Sequence, residues 1–187
     1  MNAFLEENSR LNLISKNDEK YLWEKHVFDS LSICLVFEKF GFPSNLLDIG
    51  TGGGFPSVPV AFKYPKIEVF ALDSIRKKIN AVENLKLQLD LKNLHPICDR
   101  AENLNQEFEL IVSRAVATLG VIAAYAAPLL VKDGLFVAYK SKKAEEEISE
   151  AEPCLQKFGM RVVDIIEYSL PLKDNYRRNL IVLQKFK

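Results

Sequence analysis

Four glycines within five residues form the stretch around which this chain is organised, although glycine-rich stretches are often only turns. The stretch from Leu46 to Pro59 reads Leu-Leu-Asp-Ile-Gly-Thr-Gly-Gly-Gly-Phe-Pro-Ser-Val-Pro, so the glycines directly follow a short apolar run. Glycine adopts positive φ without steric cost and allows the backbone to approach a ligand closely. Pro56 and Pro59 suit the first turn of a helix. The stretch therefore predicts a strand, a ligand-binding turn and a helix.

The spacing of these glycines indicates which kind of nucleotide they suit. The dinucleotide fingerprint needs glycine at its first, third and sixth positions. Gly50, Gly52 and Gly54 occupy the first, third and fifth, and Phe55 stands at the sixth. A P-loop is excluded, because no Lys-Ser/Thr pair follows. The pattern that remains, Asp-x-Gly-x-Gly-x-Gly from Asp48, is typical of S-adenosylmethionine (SAM) sites in Rossmann-like methyltransferases. Asp48 itself could orient the loop or accept a hydrogen bond from the ligand's amino group.

Polar residues also follow the later strands, and ligands of open α/β sheets bind beyond the carboxyl ends of strands. Asp73 ends the second predicted strand, where a carboxylate suits ribose hydroxyls, although it could equally cap the next helix. Asp99-Arg100-Ala101-Glu102 follows the third strand and could meet an adenine edge or form an exposed turn. Arg114 follows the fourth strand, so its guanidinium must enter the crevice or pair with a buried acid.

Basic residues gather at the same predicted edge of the sheet, although the whole chain has 25 basic and 25 acidic residues and no net formal charge. Such a local concentration favours a phosphate-bearing substrate held by electrostatics. The residues are Arg76, Lys77, Lys78, Lys140, Lys142, Lys143, Arg177 and Arg178.

The order of apolar segments predicts an α/β fold in one domain, with a helical cap over 1–42 and a Rossmann-like core over 43–187. The expected sheet has seven strands, which are mostly parallel and include a C-terminal antiparallel strand. Strands are predicted at 45–49, 67–72, 93–98, 108–113, 133–139, 160–168 and 178–185. Helices are predicted at 56–64, 75–90, 118–130 and 144–158.

Composition excludes several other classes of protein. Three scattered cysteines and two histidines provide no metal-ligand spacing and no disulfide framework. The apolar segment 115–131 imitates a membrane span, but it is short and contains Pro128, so a buried helix is expected. We expect a cytoplasmic protein, because the beginning of the chain lacks the pattern of a secretory leader.

The sequence offers few acid–base groups. No Ser/His/Asp set, Cys/His set or close carboxylate pair stands where a hydrolase would need one. Methyl transfer to an aromatic ring nitrogen with a free lone pair needs alignment of the two reacting atoms but no base. The shortage of acid–base groups is therefore compatible with methyl transfer.

Taken together, these motifs closely resemble the RsmG (GidB) family of bacterial ribosomal RNA methyltransferases, which methylate N7 of a guanine in 16S rRNA using SAM. The resemblance covers most of the chain. It rests on Asn8-Ser-Arg-Leu-Asn-Leu-Ile, His26-Val-Phe-Asp-Ser-Leu, the loop from Asp48 to Pro59, Leu72-Asp-Ser-Ile-Arg-Lys-Lys, Arg100-Ala-Glu, Val112-Ser-Arg-Ala-Val-Ala, Ala138-Tyr-Lys and Arg178-Asn-Leu-Ile-Val.

The resemblance implies roles for particular residues. It implies cofactor contacts from Gly50, Phe55, Ala101, Glu102 and Arg114. His26, Asp29 and Ser30 match a motif of the family, but composition gives none of the three a role. His26 could have a substrate-side role or be an ordinary core or surface histidine on a helix. Lys140 matches a lysine near the family's site, although Ser141 replaces the glycine that usually follows it. Arg114 and Lys140 are the candidate catalytic residues, and the expected partner is ribosomal RNA or the small ribosomal subunit, bound by a monomer without metal or membrane.

Other functions remain open from the residues alone. The chain could methylate another RNA or a small molecule, or it could bind SAM or a nucleotide as a regulator without catalysis. An NAD-dependent oxidoreductase is disfavoured, because Phe55 replaces the last glycine of the dinucleotide fingerprint.

Overall fold

A seven-stranded sheet forms the centre of the protein in a computed structural model that describes residues 2–114, 117–141, 144–173 and 176–186. The strands are β1 (Asn45–Ile49), β2 (Glu68–Leu72), β3 (Leu94–Ile97), β4 (Phe108–Arg114), β5 (Leu130–Lys140), β6 (Met160–Leu170) and β7 (Tyr176–Lys185). Their order across the sheet is β3-β2-β1-β4-β5-β7-β6. β7 runs antiparallel to both of its neighbours, and the other pairs are parallel. The predicted fold class is confirmed.

Helices cover both faces of this sheet. They are α5 (Ser57–Lys63), α6 (Arg76–Gln88), α7 (Leu119–Ala126) and α8 (Ala144–Lys157). Alternate residues of β1 enter different cores: Leu47 packs with α7 and α8 on one face, and Leu46 packs with α5 and α6 on the other. This burial on both sides explains why the strands are apolar almost throughout.

The predicted cap is helical and consists of short segments. These are α1 (Asn2–Leu11), α2 (Lys16–Glu19), a π-helical turn (Trp23–Phe28), α3 (Asp29–Leu31) and α4 (Cys34–Phe40). Phe4 and Leu22 of the cap form a buried cluster with Phe55 of the glycine loop and Leu85 of α6. The cap therefore packs directly on the loop that the sequence singled out.

The apolar segment before β5 is folded differently from the predicted helix 118–130. α7 ends at Ala126, and a 3₁₀ turn over Ala127–Leu129 leads into β5, which starts three residues earlier than predicted. Pro128 lies in this 3₁₀ turn and cannot donate a backbone hydrogen bond to a continued helix. Across the described part of the chain, no helix combines the length and apolarity needed to cross a membrane.

Candidate active site

The carboxyl ends of the central strands open into a crevice of about 850 Å³, bordered on one side by the cap. This volume lies within the range of small-molecule sites, which is roughly 300–1,000 Å³. The crevice brings together twelve of the residues predicted from sequence. They are His26, Gly50, Gly52, Phe55, Asp73, Lys78, Asp99, Arg100, Ala101, Glu102, Arg114 and Arg178.

Two glycines of the loop are required for different reasons. Gly52 and Gly54 both have positive φ, of 58° and 89°. A Cβ on Gly54 would lie 2.6 Å from Cγ2 of Val58, whereas a Cβ on Gly52 would meet only the carbonyl of Gly50, at 4.0 Å. Gly54 thus allows the loop to pack on α5 and does not line the crevice, while Gly52 leaves space open beside the backbone.

Asp48 lies beneath the loop and does not line the crevice. It is completely buried, and its Oδ2 accepts hydrogen bonds from the backbone N–H and the hydroxyl of Ser57. Its Oδ1 has no hydrogen-bond partner among the described residues. Burial raises the pKa of Asp48 to about 6, although hydrogen bonds from Ser57 oppose this shift. Of the two roles open from sequence, this geometry favours orientation of the loop.

Asp73, at the end of β2, binds the backbone around it and borders the crevice, where it could also meet ribose hydroxyls. Its Oδ1 accepts from the backbone N–H of Ile75 at 2.9 Å, just before α6 begins. Its Oδ2 accepts from the backbone N–H of Gly52 at 3.1 Å and from Nζ of Lys78 at 3.3 Å. The carboxylate thereby holds the turn that leads into α6, holds the glycine loop and borders the crevice.

Arg114 ends β4 and is bound by the cap. Its Nη1 donates to the backbone carbonyl of Lys25 and to Oδ2 of Asp29, both at 3.1 Å. Its Nη2 donates to Nδ1 of His26 at 3.0 Å. The guanidinium carbon lies 5.4 Å from the centre of the Phe55 ring. Arg114 therefore borders the crevice and also pairs with a buried acid, so both sequence alternatives hold.

Asp29 is the centre of this buried network, with 1% of its surface exposed. Its Oδ1 accepts from the hydroxyl of Tyr168 on β6 at 2.6 Å and from Nε of Arg178 on β7 at 3.2 Å. Burial lowers the pKa of Arg178, but the carboxylate of Asp29 outweighs this effect and raises that pKa above its ordinary value. One carboxylate thus connects the cap, β4, β6 and β7.

His26 is neutral in this environment. Burial and the positive charge of Arg114 lower its pKa to about 4. Because Arg114 donates to Nδ1, the ring proton is assigned to Nε2. Nε2 is buried and has no hydrogen-bond partner in the described part of the chain.

Other predicted basic residues lie outside the crevice lining. Nζ of Lys140 donates to the carbonyl of Ala117 at 2.8 Å and pairs with Oε2 of Glu147 at 2.6 Å. Arg76, Lys77 and Arg177 are exposed and do not line the crevice. Lys142 and Lys143 lie outside the residues that the structure describes.

Sequence reasoning gave no role to several residues that shape the site. Lys25 and Asp29 hold Arg114, and Tyr168 supports Asp29. Lys78, one of the basic residues predicted at this edge of the sheet, pairs with Asp73. The spacing of His26 and Asp29 was the one available signal, since both stand in a motif of the resemblance. Within the described ranges, no group of histidine, cysteine and acidic residues could hold a metal ion.

Two of the solved structures with this fold are complexes with AdoMet or S-adenosyl-L-homocysteine. The N-methyltransferase NodS from Bradyrhizobium japonicum, in complex with S-adenosyl-L-homocysteine, is 12% identical with a TM-score of 0.65, and the match covers 100% of both chains. M. jannaschii TYW2, in complex with AdoMet, is 17% identical with a TM-score of 0.60, covering 76% of this chain and 68% of the other. These likenesses show the fold, and the class that it defines is that of the Rossmann-like α/β proteins.

Comparison with protein families and curated relatives narrows this class. The GidB family, described as rRNA small subunit methyltransferase G, matches residues 1–181. Ribosomal RNA small subunit methyltransferase G of Listeria welshimeri is 35% identical over 189 residues, covering 98% of this chain and 79% of the relative. The Staphylococcus aureus protein of the same name is 35% identical over 186 residues, covering 97% and 77%. The chain belongs to this family, which confirms the resemblance found in the sequence.

Proposed function

We propose that this protein transfers a methyl group from SAM to N7 of a guanine in 16S ribosomal RNA. The observation that carries this proposal is the match to the rRNA small subunit methyltransferase G family over residues 1–181. The fold supports it, because two solved structures of the same architecture are complexes with AdoMet or S-adenosyl-L-homocysteine.

The crevice has the chemistry that SAM requires. Asp73 offers carboxylate oxygens for ribose hydroxyls, and Ile75 and Ala101 offer apolar surface for the adenine ring. The open space beside Gly52 lets a ligand approach the backbone closely. The positive guanidinium of Arg114 suits the carboxylate of the amino-acid part. The residues present therefore fit SAM, which supplies an activated methyl group when bound.

The chain's task in this reaction is alignment. Guanine N7 has a free lone pair, so no protein group needs to remove a proton before the methyl group moves. The site agrees with this requirement, because the His26 pKa of about 4 makes its ring a weak base and because Lys140 is paired with Glu147. Arg114 acts as a binding and positioning group, and the cap shields one side of the crevice from water.

RNA binding depends on the basic residues around the crevice. Arg178 borders the crevice, with 17% of its side chain exposed. Arg76, Lys77 and Arg177 are exposed and are close in sequence to residues that line the crevice. We further propose that cap 1–42 and core 43–187 act as one domain in a cytoplasmic monomer. In this proposal Lys140 and Lys142 assist RNA binding, and the substrate is the rRNA alone or within the small ribosomal subunit.

The decisive experiment maps methylated positions. Purified protein is incubated with isotopically labelled SAM and either 16S rRNA or small ribosomal subunits from cells that lack the protein, and digested nucleosides are analysed by mass spectrometry. We expect labelled 7-methylguanosine at one position, which is also methylated in cells that contain the protein. Label on another base, or none with either substrate, would contradict the proposal.

Calorimetry distinguishes a SAM-binding protein from one that binds NADH. We expect the protein to bind SAM and S-adenosylhomocysteine but not NADH, because Phe55 replaces the last glycine of the dinucleotide fingerprint. Binding of NADH without binding of either SAM-type ligand would point to an oxidoreductase instead.

A further inference from the structure

One buried carboxylate separates two guanidiniums at the side of the crevice away from Asp73. Asp29 lies 3.1 Å from Nη1 of Arg114 and 3.2 Å from Nε of Arg178. The side chains of Asp29, Arg114 and Arg178 are 2%, 13% and 17% exposed. One negative and two positive charges leave this cluster with a net charge of +1, at the edge of the crevice that all three residues line.

Both arginines keep hydrogen-bond donors that Asp29 does not use. A guanidinium has five N–H donors. In Arg114, three of them are directed to the carbonyl of Lys25, to Asp29 and to His26, which leaves two. Arg178 directs Nε and Nη2 to Asp29, at 3.2 and 3.4 Å, and retains further N–H groups. The carboxylate thus fixes each guanidinium along one side and leaves another side available for ligands.

We propose that Asp29 is a positioning residue that sets both arginines for binding: Arg114 for the carboxylate of SAM, and Arg178 for an RNA phosphate. This inference rests on the proposed function. Asp29 itself is buried and need not touch either ligand. Its role is to hold two positive groups, from strands β4 and β7, in one fixed relation.

The position of Asp29 in the cap extends this role. Asp29 directly follows the π turn, and the same turn supplies the Lys25 carbonyl and the His26 ring to Arg114. Docking of the cap therefore completes the guanidinium pair, and the core alone lacks the counter-charge that separates Arg114 from Arg178. It follows that cofactor affinity and RNA affinity both depend on one residue of the cap.

The test replaces Asp29 with asparagine, which keeps the size of the side chain and removes its charge. Calorimetry measures the affinity for S-adenosylhomocysteine, and filter binding measures the affinity for a 16S rRNA fragment. We expect Asp29→Asn to weaken both by about tenfold or more. Arg114→Gln should weaken chiefly the cofactor, and Arg178→Gln chiefly the RNA. Loss of both affinities through one carboxylate is what the positioning role predicts.

Asp164→Asn provides the matched control. Asp164 on β6 also binds the N-terminal helical region, through Nζ of Lys39 at 2.6 Å, but this pair is solvent-exposed and does not line the crevice. Removing its charge should change neither affinity by more than about twofold, since exposed ion pairs contribute little.

Folding is verified by circular dichroism before each measurement. If Asp29→Asn does not fold, Asp29→Glu replaces it, because glutamate keeps the charge but displaces the carboxylate by one methylene group; the same two losses are expected. The unmodified protein gives an independent readout. Its Arg114 and Arg178 guanidinium N–H signals should exchange slowly with solvent in nuclear magnetic resonance spectra before any ligand is added.

Three results would overturn the inference: a folded Asp29 variant that binds both ligands normally, one that loses only one of them, or rapid exchange of both guanidiniums in the unmodified protein. These results differ from failure of the proposed function. In that case the unmodified protein would not methylate 16S rRNA, whatever the Asp29 variants show.

Discussion

The two sides of the crevice are built in contrasting ways. The side that contains the glycine loop is formed largely by backbone from neighbouring segments, and Asp73 closes it through the N–H groups of Gly52 and Ile75. The opposite side is formed by side chains from distant segments, which meet at Asp29. The first side depends on local conformation, and the second on the docking of the cap.

The acids on the two sides of the crevice should therefore differ in what they contribute. Asp73, on the glycine-loop side, borders the crevice and has 7% of its surface exposed, so it is placed to meet a ligand. Asp29, on the cap side, is almost completely buried between Arg114 and Arg178. We expect Asp73 to matter more for binding than for stability, and Asp29 to matter for both.

The largest expected effect comes from removing these two acids in turn. Asp29→Ala leaves the largely buried guanidiniums of Arg114 and Arg178 without their counter-charge. The free energy of unfolding should therefore fall by about 3–5 kcal/mol. Asp73→Ala removes hydrogen bonds at a more accessible position and should cost about 1–2 kcal/mol. Urea denaturation measures both values. Equal losses would show that the two sides do not differ in the proposed way.

Two glycine substitutions test the loop itself. Gly54→Ala should lower the free energy of unfolding by about 3 kcal/mol, because a Cβ there meets Val58 and the backbone has positive φ. Gly52→Ala should cost about 1 kcal/mol, since its φ is also positive but the space is open. The order should reverse in calorimetry with SAM, where Gly52→Ala is expected to weaken binding more. A loop that serves only as a turn would show no such reversal.

Titration should affect the two sides in opposite directions. The folded pKa of Asp48 is about 6, above the unfolded value of about 3.9, so the folded state takes up a proton first and gains stability as pH falls from 6 to 4. The folded pKa of His26 is about 4, below the unfolded value of about 6.5, so protonation favours the unfolded chain over that interval.

Thermal melts between pH 4 and 7 separate the two contributions. Relative to Asp48→Asn, the unmodified protein should gain stability on acidification; relative to His26→Gln, it should lose stability. The slope for His26 should stay below about 1.4 kcal/mol per pH unit, because one titrating group changes the number of bound protons by at most one. Parallel pH profiles for the unmodified protein and both variants would contradict these assignments.

The smallest expected effect concerns Arg177, the exposed neighbour of Arg178. If Arg177 contacts a phosphate, Arg177→Gln should reduce the salt dependence of RNA binding by about 0.7 log units per decade of salt. SAM affinity should not change, because Arg177 does not line the crevice. Filter binding at several salt concentrations measures the slope, and an unaltered slope would remove Arg177 from the RNA surface.

Much of the glycine-loop side could be predicted from the sequence, because its signals are local. β1 has the predicted bounds, 45–49, and the strand pattern that ends at the glycines identifies the loop. Asp73 was predicted from its position at the end of β2, with both a capping and a ligand-facing role left open. The structure places it so that both are compatible.

The cap side could be predicted only in part. Arg114 was expected to face the crevice or pair with a buried acid, but the acid could not be identified, because Asp29 lies 85 residues earlier in the chain. Arg178 reaches the same carboxylate from 149 residues away. The position of Lys140 after β5 made it a candidate site residue, but sequence spacing does not indicate that Glu147 pairs with it. Partners brought together by folding leave no periodic pattern.

The π turn sets a requirement on chain length. A π turn closes hydrogen bonds between residues five apart, one more than in an α-helix, and Trp23–Phe28 contains this additional residue immediately before Asp29. Deleting one residue there would restore α-helical spacing and rotate everything that follows by about 100° relative to what precedes. Substitutions on the outer surface of this segment leave that angle unchanged. Between Trp23 and Asp29, the number of residues therefore matters more than most of their identities.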